Sequence, residues 1–180
     1  MKFGQFFSGV LFCCLLVVSP FGKVSAKPGE GSLGIIEVGG NIIESACAIH
    51  PDSHQQRLIL NDISADTLIR RGFGELHPFT IKLFNCSLER KNGSSWLGFE
   101  ITFNGEADGN NFALMGDAQG LAVEISDDRG FIAKPGIALP PHPVPQGEKA
   151  LIYYVRLVGN DKLLRGGSHF TSLNYKLDYY

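Results

Sequence analysis

The sequence predicts an all-β fold, an antiparallel β-sandwich, and three observations carry that prediction. Short runs of β-branched and aromatic residues recur between polar turn signals. Glycine is abundant, with 22 in 180 residues, as closely spaced turns require. Only one stretch has a convincing helical pattern, and no βαβ alternation, internal repeat or low-complexity tract is present.

The first 26 residues stand apart from the fold. Lys2 is followed by the apolar run "FFSGVLFCCLLVVS", and the small residues Ser25 and Ala26 precede Lys27, the layout of a secretory signal peptide over 1–26 that is removed. A retained membrane anchor is the competing reading, but the run is short for a span and Pro20 and Gly22 break it. Phe12 before Cys13 argues against a lipid-modified cysteine. About 154 residues remain, the size of one domain. They hold Cys47 and Cys86, an even pair in an exported chain, which predicts a disulfide over the alternative of two buried thiols. Closing a loop of roughly 40 residues stabilises a fold by about 4 kcal/mol in the chain-entropy picture. A net charge of −2 supplies no basic field for nucleic acid, and nothing after the leader is long and apolar enough to span a membrane directly.

The elements follow in order. "GNIIESACAI" alternates loosely and predicts a strand around Cys47; "QRLILNDI" predicts another. "SADTLIRRG" predicts the helix, with Ser64 as N-cap, Asp66 in the first turn and Gly72 as the stop. "HPFTIKLFNCSL" predicts a long strand with Phe79, Ile81 and Leu83 on one face and Phe84 and Cys86 on the other. The switch at Leu83–Phe84 implies burial on both sides or a bulge. In "WLGFEITFNG", Leu97, Phe99, Ile101 and Phe103 share a face. "EADGNN" reads as a polar loop, "FALMG" and "GLAVEISDD" as short strands, and "DDRG" as a turn into "FIAKPG". "ALPPHPVPQG" lacks ladder donors and reads as a surface connection. "KALIYYVRLVG" predicts a strong strand and "NDKLLRGG" a turn region. In the final strand Leu173, Tyr175, Leu177 and Tyr179 face one way, and Asn174, Lys176 and Asp178 the other.

The chemistry of catalysis is not assembled anywhere in this pattern. His50 and His54 have the i, i+4 spacing of a metal site, but Pro51 lies between them in a turn-like stretch, and they read as solvated loop residues. Glu106 and Asp108 lack the ordered ligand series of a calcium loop. "GSLG" and "GGSH" are not a nucleophile elbow, and no phosphate-cradling loop occurs. The glycosylation sequons at Asn85 and Asn92 are weak signals. No enzyme, cofactor or metal is expected, and function is sought in surfaces.

Three features then converge. "ESACAI" carries Cys47, "IKLFNCS" carries Cys86, and the carboxyl end has Gly167 fourteenth from the terminus with Tyr179 penultimate. In these features, from about Gly34 onward, the chain resembles the pilin subunits of chaperone–usher fimbriae of Gram-negative bacteria, of the type 1 and P-pilus type. The resemblance implies an incomplete immunoglobulin-like β-sandwich that lacks its final strand, over residues 41–180, with an amino-terminal donor-strand extension over 27–40. It implies a groove beside the last strand, with Gly167, Leu173, Tyr175, Leu177, Tyr179 and Tyr180 as groove and chaperone-contact residues. A periplasmic chaperone fills that groove first, and the arm of a neighbouring fimbrial subunit replaces it at an outer-membrane usher, the mode of strand addition known for such complexes. In "SLGIIEVGG", Gly34, Ile36 and Val38 share a face of an extended segment. From the residues alone that segment is equally the first strand of its own sandwich; by resemblance its residues enter a neighbour's groove. The resemblance places the chain at the cell-surface fimbrium after export through the periplasm.

The length argues against a two-domain tip adhesin. The bulky composition points toward a minor subunit rather than a major rod pilin, and the last third also resembles subunits that terminate the fibre at its base. A stand-alone secreted carbohydrate-binding sandwich is the alternative from another class. Trp96 is the single tryptophan available to such a site.

Overall fold

A computed structural model describes residues 44–180 of the chain. The leader over 1–26 and the arm with Gly34, Ile36 and Val38 lie outside the described residues.

The first wall of the sandwich is a sheet ordered β1–β2–β9–β7–β5–β4, with β8 also paired to β7. Its members are β1 (Ala48–Ile49), β2 (His77–Cys86), β4 (Ala107–Asp108), β5 (Asn111–Ala113), β7 (Leu121–Asp127), β8 (Ile132–Ala133) and β9 (Gly147–Gly159). Every pairing is antiparallel, as connection by turns demands. The second wall pairs β3 (Phe99–Asn104) with the final strand β11 (Asn174–Tyr179) in the register Tyr179↔Phe99 to Asn174↔Asn104. A small two-stranded sheet of β6 (Met115–Gly116) with β10 (His169–Phe170) sits apart from both.

Period-two burial joins the walls. Ile81 and Leu83 of β2, Leu151, Tyr153, Val155 and Leu157 of β9, and Val123 and Ile125 of β7 meet Phe99, Ile101 and Phe103 of β3 in one core cluster. Edge-on contacts of Tyr153 with Phe103 (5.1 Å) and of Phe79 with Phe103 (6.2 Å) knit the layers. The bulge read at Leu83–Phe84 is present: the β2–β9 register shifts between Leu83 and Cys86, and Asn85 takes a positive φ of 51°. That extra residue returns Cys86 to the interior after Leu83, so the face switch in the sequence is a bulge.

The helix forms as expected. α2 (Ala65–Arg71) begins on Ser64, whose Oγ accepts from the Thr67 N–H at 3.1 Å, and ends at Gly72 with φ 81°. A second, single-turn helix α1 (Pro51–His54) was not expected; Pro51 starts it, and His50 Nδ1 accepts from the Asp52 N–H.

Four sequence readings are corrected. "QRLILNDI" forms no strand: α1 lifts the chain from the β2 edge, and Gln56 reaches the Thr80 carbonyl only through its side chain, at 2.9 Å. Leu60 and Ile63 still pack on the core, whereas Ile59 is 85% exposed. Leu97 leaves the face it was read to share and is exposed, and Trp96 is buried instead. "EADGNN" is the β4–β5 hairpin, turning at Gly109 with φ 65°. The proline-rich connection also serves as an edge. The Gly136, Leu139 and His142 N–H groups donate to the Phe103, Ile101 and Phe99 carbonyls, each at 2.9 Å, which closes the side of β3 away from β11. Prolines fit there because an edge strand needs donors on one side only.

Candidate functional site

The final strand has one bonded edge and one edge that no described residue meets. Tyr180 and Gly98 exchange both backbone bonds, so in this antiparallel ladder Asp178, Lys176 and Asn174 also turn their N–H and C=O groups to β3. Tyr175, Leu177 and Tyr179 therefore aim theirs at the other side. The opposite edge of β3 obeys the same alternation, with Phe99, Ile101 and Phe103 bonded to the proline-rich segment. Unpaired strand edges of this kind are templates for another strand.

The same three residues, with Leu173, supply the inward face. Leu173, Tyr175, Leu177 and Tyr179 are half-buried and packed on the core, whereas Asn174, Lys176 and Asp178 are exposed. This face is covered on its inner side and incomplete toward the free edge. Each member has a distinct seat. The Leu173 side chain closes over Gly105 beside Phe112, where a Cβ on residue 105 would collide with it. Tyr175 lies 6.2 Å from the Phe103 ring and donates its hydroxyl to the Ser53 carbonyl at 2.5 Å. Tyr179 stands edge-on to Trp96 (5.8 Å) and tilted on Phe99 (5.6 Å). Tyr180 is 45% exposed and belongs to the site through its backbone.

Across from β11 stands the segment from Ala46 to Ser53. Cys47 and Cys86 are joined by the disulfide, buried among the core residues, which ties this segment to the end of β2. The Ser87 N–H donates to the Ala46 carbonyl and the His50 N–H to the Lys82 carbonyl. Where α1 interrupts the ladder, the Ser53 Oγ takes the place of a backbone acceptor and receives the Lys82 N–H at 3.0 Å. Burial pushes the Tyr179 hydroxyl up to about 12, opposed by the facing Cys47 backbone, with which it forms no well-shaped hydrogen bond. Burial also raises Tyr175. Both tyrosines thus reach from the last strand to the opposite wall.

Gly167 is elsewhere. It precedes β11 and crosses the Asp117–Ala118 turn so closely that a Cβ would stand 2.7 Å from Asp117 Cβ and 2.8 Å from the Ala118 nitrogen. Sequence reasoning missed Ser53 and the burial of Trp96. The "HPDS" string, with proline at a helix start and a short polar residue after it, was the available signal for Ser53. Trp96 carries Arg90 on its ring at 3.7 Å and is 6% exposed, so it offers no open stacking platform.

No protein-family profile matches the chain. The PRS fimbrial minor pilin protein of Escherichia coli is 29% identical over 144 residues, 78% of this chain and 74% of that protein. Among solved structures, the P pilus rod subunit PapA superposes with a TM-score of 0.67 at 20% identity, over 76% of this chain and all of that one. A subunit of a chaperone–usher pilus superposes with a TM-score of 0.66 at 18% identity, over 83% and 97% of the two chains. These likenesses fit the incomplete immunoglobulin-like sandwich of the described residues. In sequence and in fold the chain is similar to fimbrial pilin subunits of the chaperone–usher type.

Proposed function

We propose that the subunit is completed by a strand from another polypeptide laid along the free edge of β11. A periplasmic chaperone supplies it first, and the arm of the next subunit replaces it at the outer-membrane usher. The observation that carries this reading is the coincidence of three unpaired backbone positions, Tyr175, Leu177 and Tyr179, with the half-buried apolar face of the same residues. Main-chain bonds would satisfy the edge, and alternate side chains of the added strand would cover the face. Fully burying one such side chain stabilises by about 1.5–3 kcal/mol, and a face already half covered has about half of that still to gain. Over four residues that is about 3–6 kcal/mol, a large fraction of the net stability of a domain, about 5–15 kcal/mol.

In this reading residues 27–40 are the reciprocal arm, and Gly34, Ile36 and Val38 enter a preceding subunit's groove. The role is that of a minor pilin, supported by the PRS minor pilin relative; a base-terminating position is its narrower form. The buried Trp96 and the engagement of Phe73 by Arg156 at 4.5 Å leave no open aromatic platform at either ring, which disfavours the carbohydrate-binding alternative.

The test is thermal melting of the oxidised, exported chain with and without peptides copying fimbrial arms. A rise in Tm with at least one peptide or with the chaperone is expected. A chain that melts at the same temperature with every strand donor contradicts the reading. Chaperone binding with refusal of every arm selects the terminating position. In a companion experiment, Ile36→Asp leaves the domain folded but prevents its joining the preceding subunit; normal polymerisation would remove the arm from the account.

A further inference from the structure

The hydroxyl of Tyr175 joins the last strand to the opposite wall without using any backbone group that an added strand needs. Its acceptor is well held: the Ser53 N–H donates to the His50 carbonyl, its Oγ accepts from Lys82 of β2, and the residue is 2% exposed. Standard covalent lengths give a tyrosine a reach of about 6.5 Å from Cα to hydroxyl. Adding the 2.5 Å bond, the link spans at most about 9 Å, close to two inter-strand spacings of about 4.8 Å. That is the room one extra strand occupies between two neighbours.

We propose that Tyr175 is a positioning residue for strand addition, a strut that holds the two walls of the groove at the width of one strand before the strand arrives. This inference rests on the strand-addition reading above. A groove held at its final width loses less freedom when it is filled, so the strut speeds capture. Tyr153 is the matched control, because its buried hydroxyl has no partner and removing it breaks no bond.

The experiment uses the full oxidised chain as exported, its Tyr175→Phe and Tyr153→Phe variants, and synthetic peptides copying the arms of this chain and of its fimbrial neighbours. Rapid-mixing fluorescence of Trp96, the single tryptophan, follows binding through its contact with Tyr179. Losing the strut's hydrogen bond is expected to slow association by about twofold to tenfold. Dissociation stays unchanged, and Tyr153→Phe behaves as the parent. Equal association rates in Tyr175→Phe and the parent overturn the strut alone, as does equal slowing in Tyr153→Phe. Binding of neither peptide nor chaperone by the parent overturns strand addition, and the strut with it; where the chaperone alone binds, the same rates are read with the chaperone.

Discussion

Tyr153, Tyr175 and Tyr179 hold three differently placed hydroxyls in one interior. Only Tyr175 has a hydrogen-bond partner. Tyr153 sits against Phe103 and Phe79 with its hydroxyl unmatched, and burial with the nearby Asp127 holds it neutral. Tyr153→Phe is therefore expected to leave stability unchanged or raise it by up to about 1 kcal/mol, read as an equal or higher Tm. Tyr179 adds a pH dependence. Its folded value lies above the unfolded 10.0, so its contribution is complete below about pH 10 and is lost as pH rises through about 12. Alkaline titration should loosen the end of β11, with Tyr179→Phe reducing the effect. His142 acts at the other end of the scale. It stacks on Phe99 (5.3 Å), and its Nε2 faces the Arg129 guanidinium at 3.0 Å, which also binds the Pro140 and Pro141 carbonyls. Burial and Arg129 lower its pKa below 6.5, against smaller opposing effects of Asp127 and Asp128. Its contribution is thus full above pH 6.5 and declines as pH falls below it, a slope that His142→Gln should flatten.

At the scale of elements, the crossing of the 163–170 segment over the 116–120 turn is the tightest backbone approach. Gly116, Gly120 and Gly167 all lie within it, and each lacks room for a Cβ. Gly167→Ala is expected to destabilise by about 1–3 kcal/mol through overpacking against backbone, measured by chemical denaturation; a neutral result would show that the crossing yields. Local patterns were legible wherever one physical cause dominated. β3 from Phe99 onward and β11 alternate because each turns one apolar face to the core, and α2 carries both of its caps in sequence. The bulge in β2 was visible as a phase change. "QRLILNDI" misled because its apolar residues are buried singly, by Leu60 and Ile63, and not by strand pairing; α1 upstream had displaced the chain. The edge role of the proline-rich segment was hidden because pairing on one side leaves no alternation to read. The site was half legible: the face of β11 shows in the sequence, but the Ser53 wall that faces it depends on contacts 122 residues apart.

At the scale of the molecule, the sandwich is closed on the β3 side by the proline-rich edge and left with an unmet backbone edge at β11 among the described residues. The Cys47–Cys86 disulfide holds the wall across from that edge, so replacing both cysteines by serine should cost about 4 kcal/mol and weaken strand capture together with folding. The most direct test is residue-resolved amide hydrogen exchange along the final strand of the oxidised chain, before and after addition of a strand donor. Lys176 and Asp178, bonded to β3, are expected to be protected in both states. Tyr175, Leu177 and Tyr179 are expected to exchange rapidly alone and to become protected when the donor binds. Protection of those three amides in the isolated, donor-free chain, unchanged by any donor, would contradict the account.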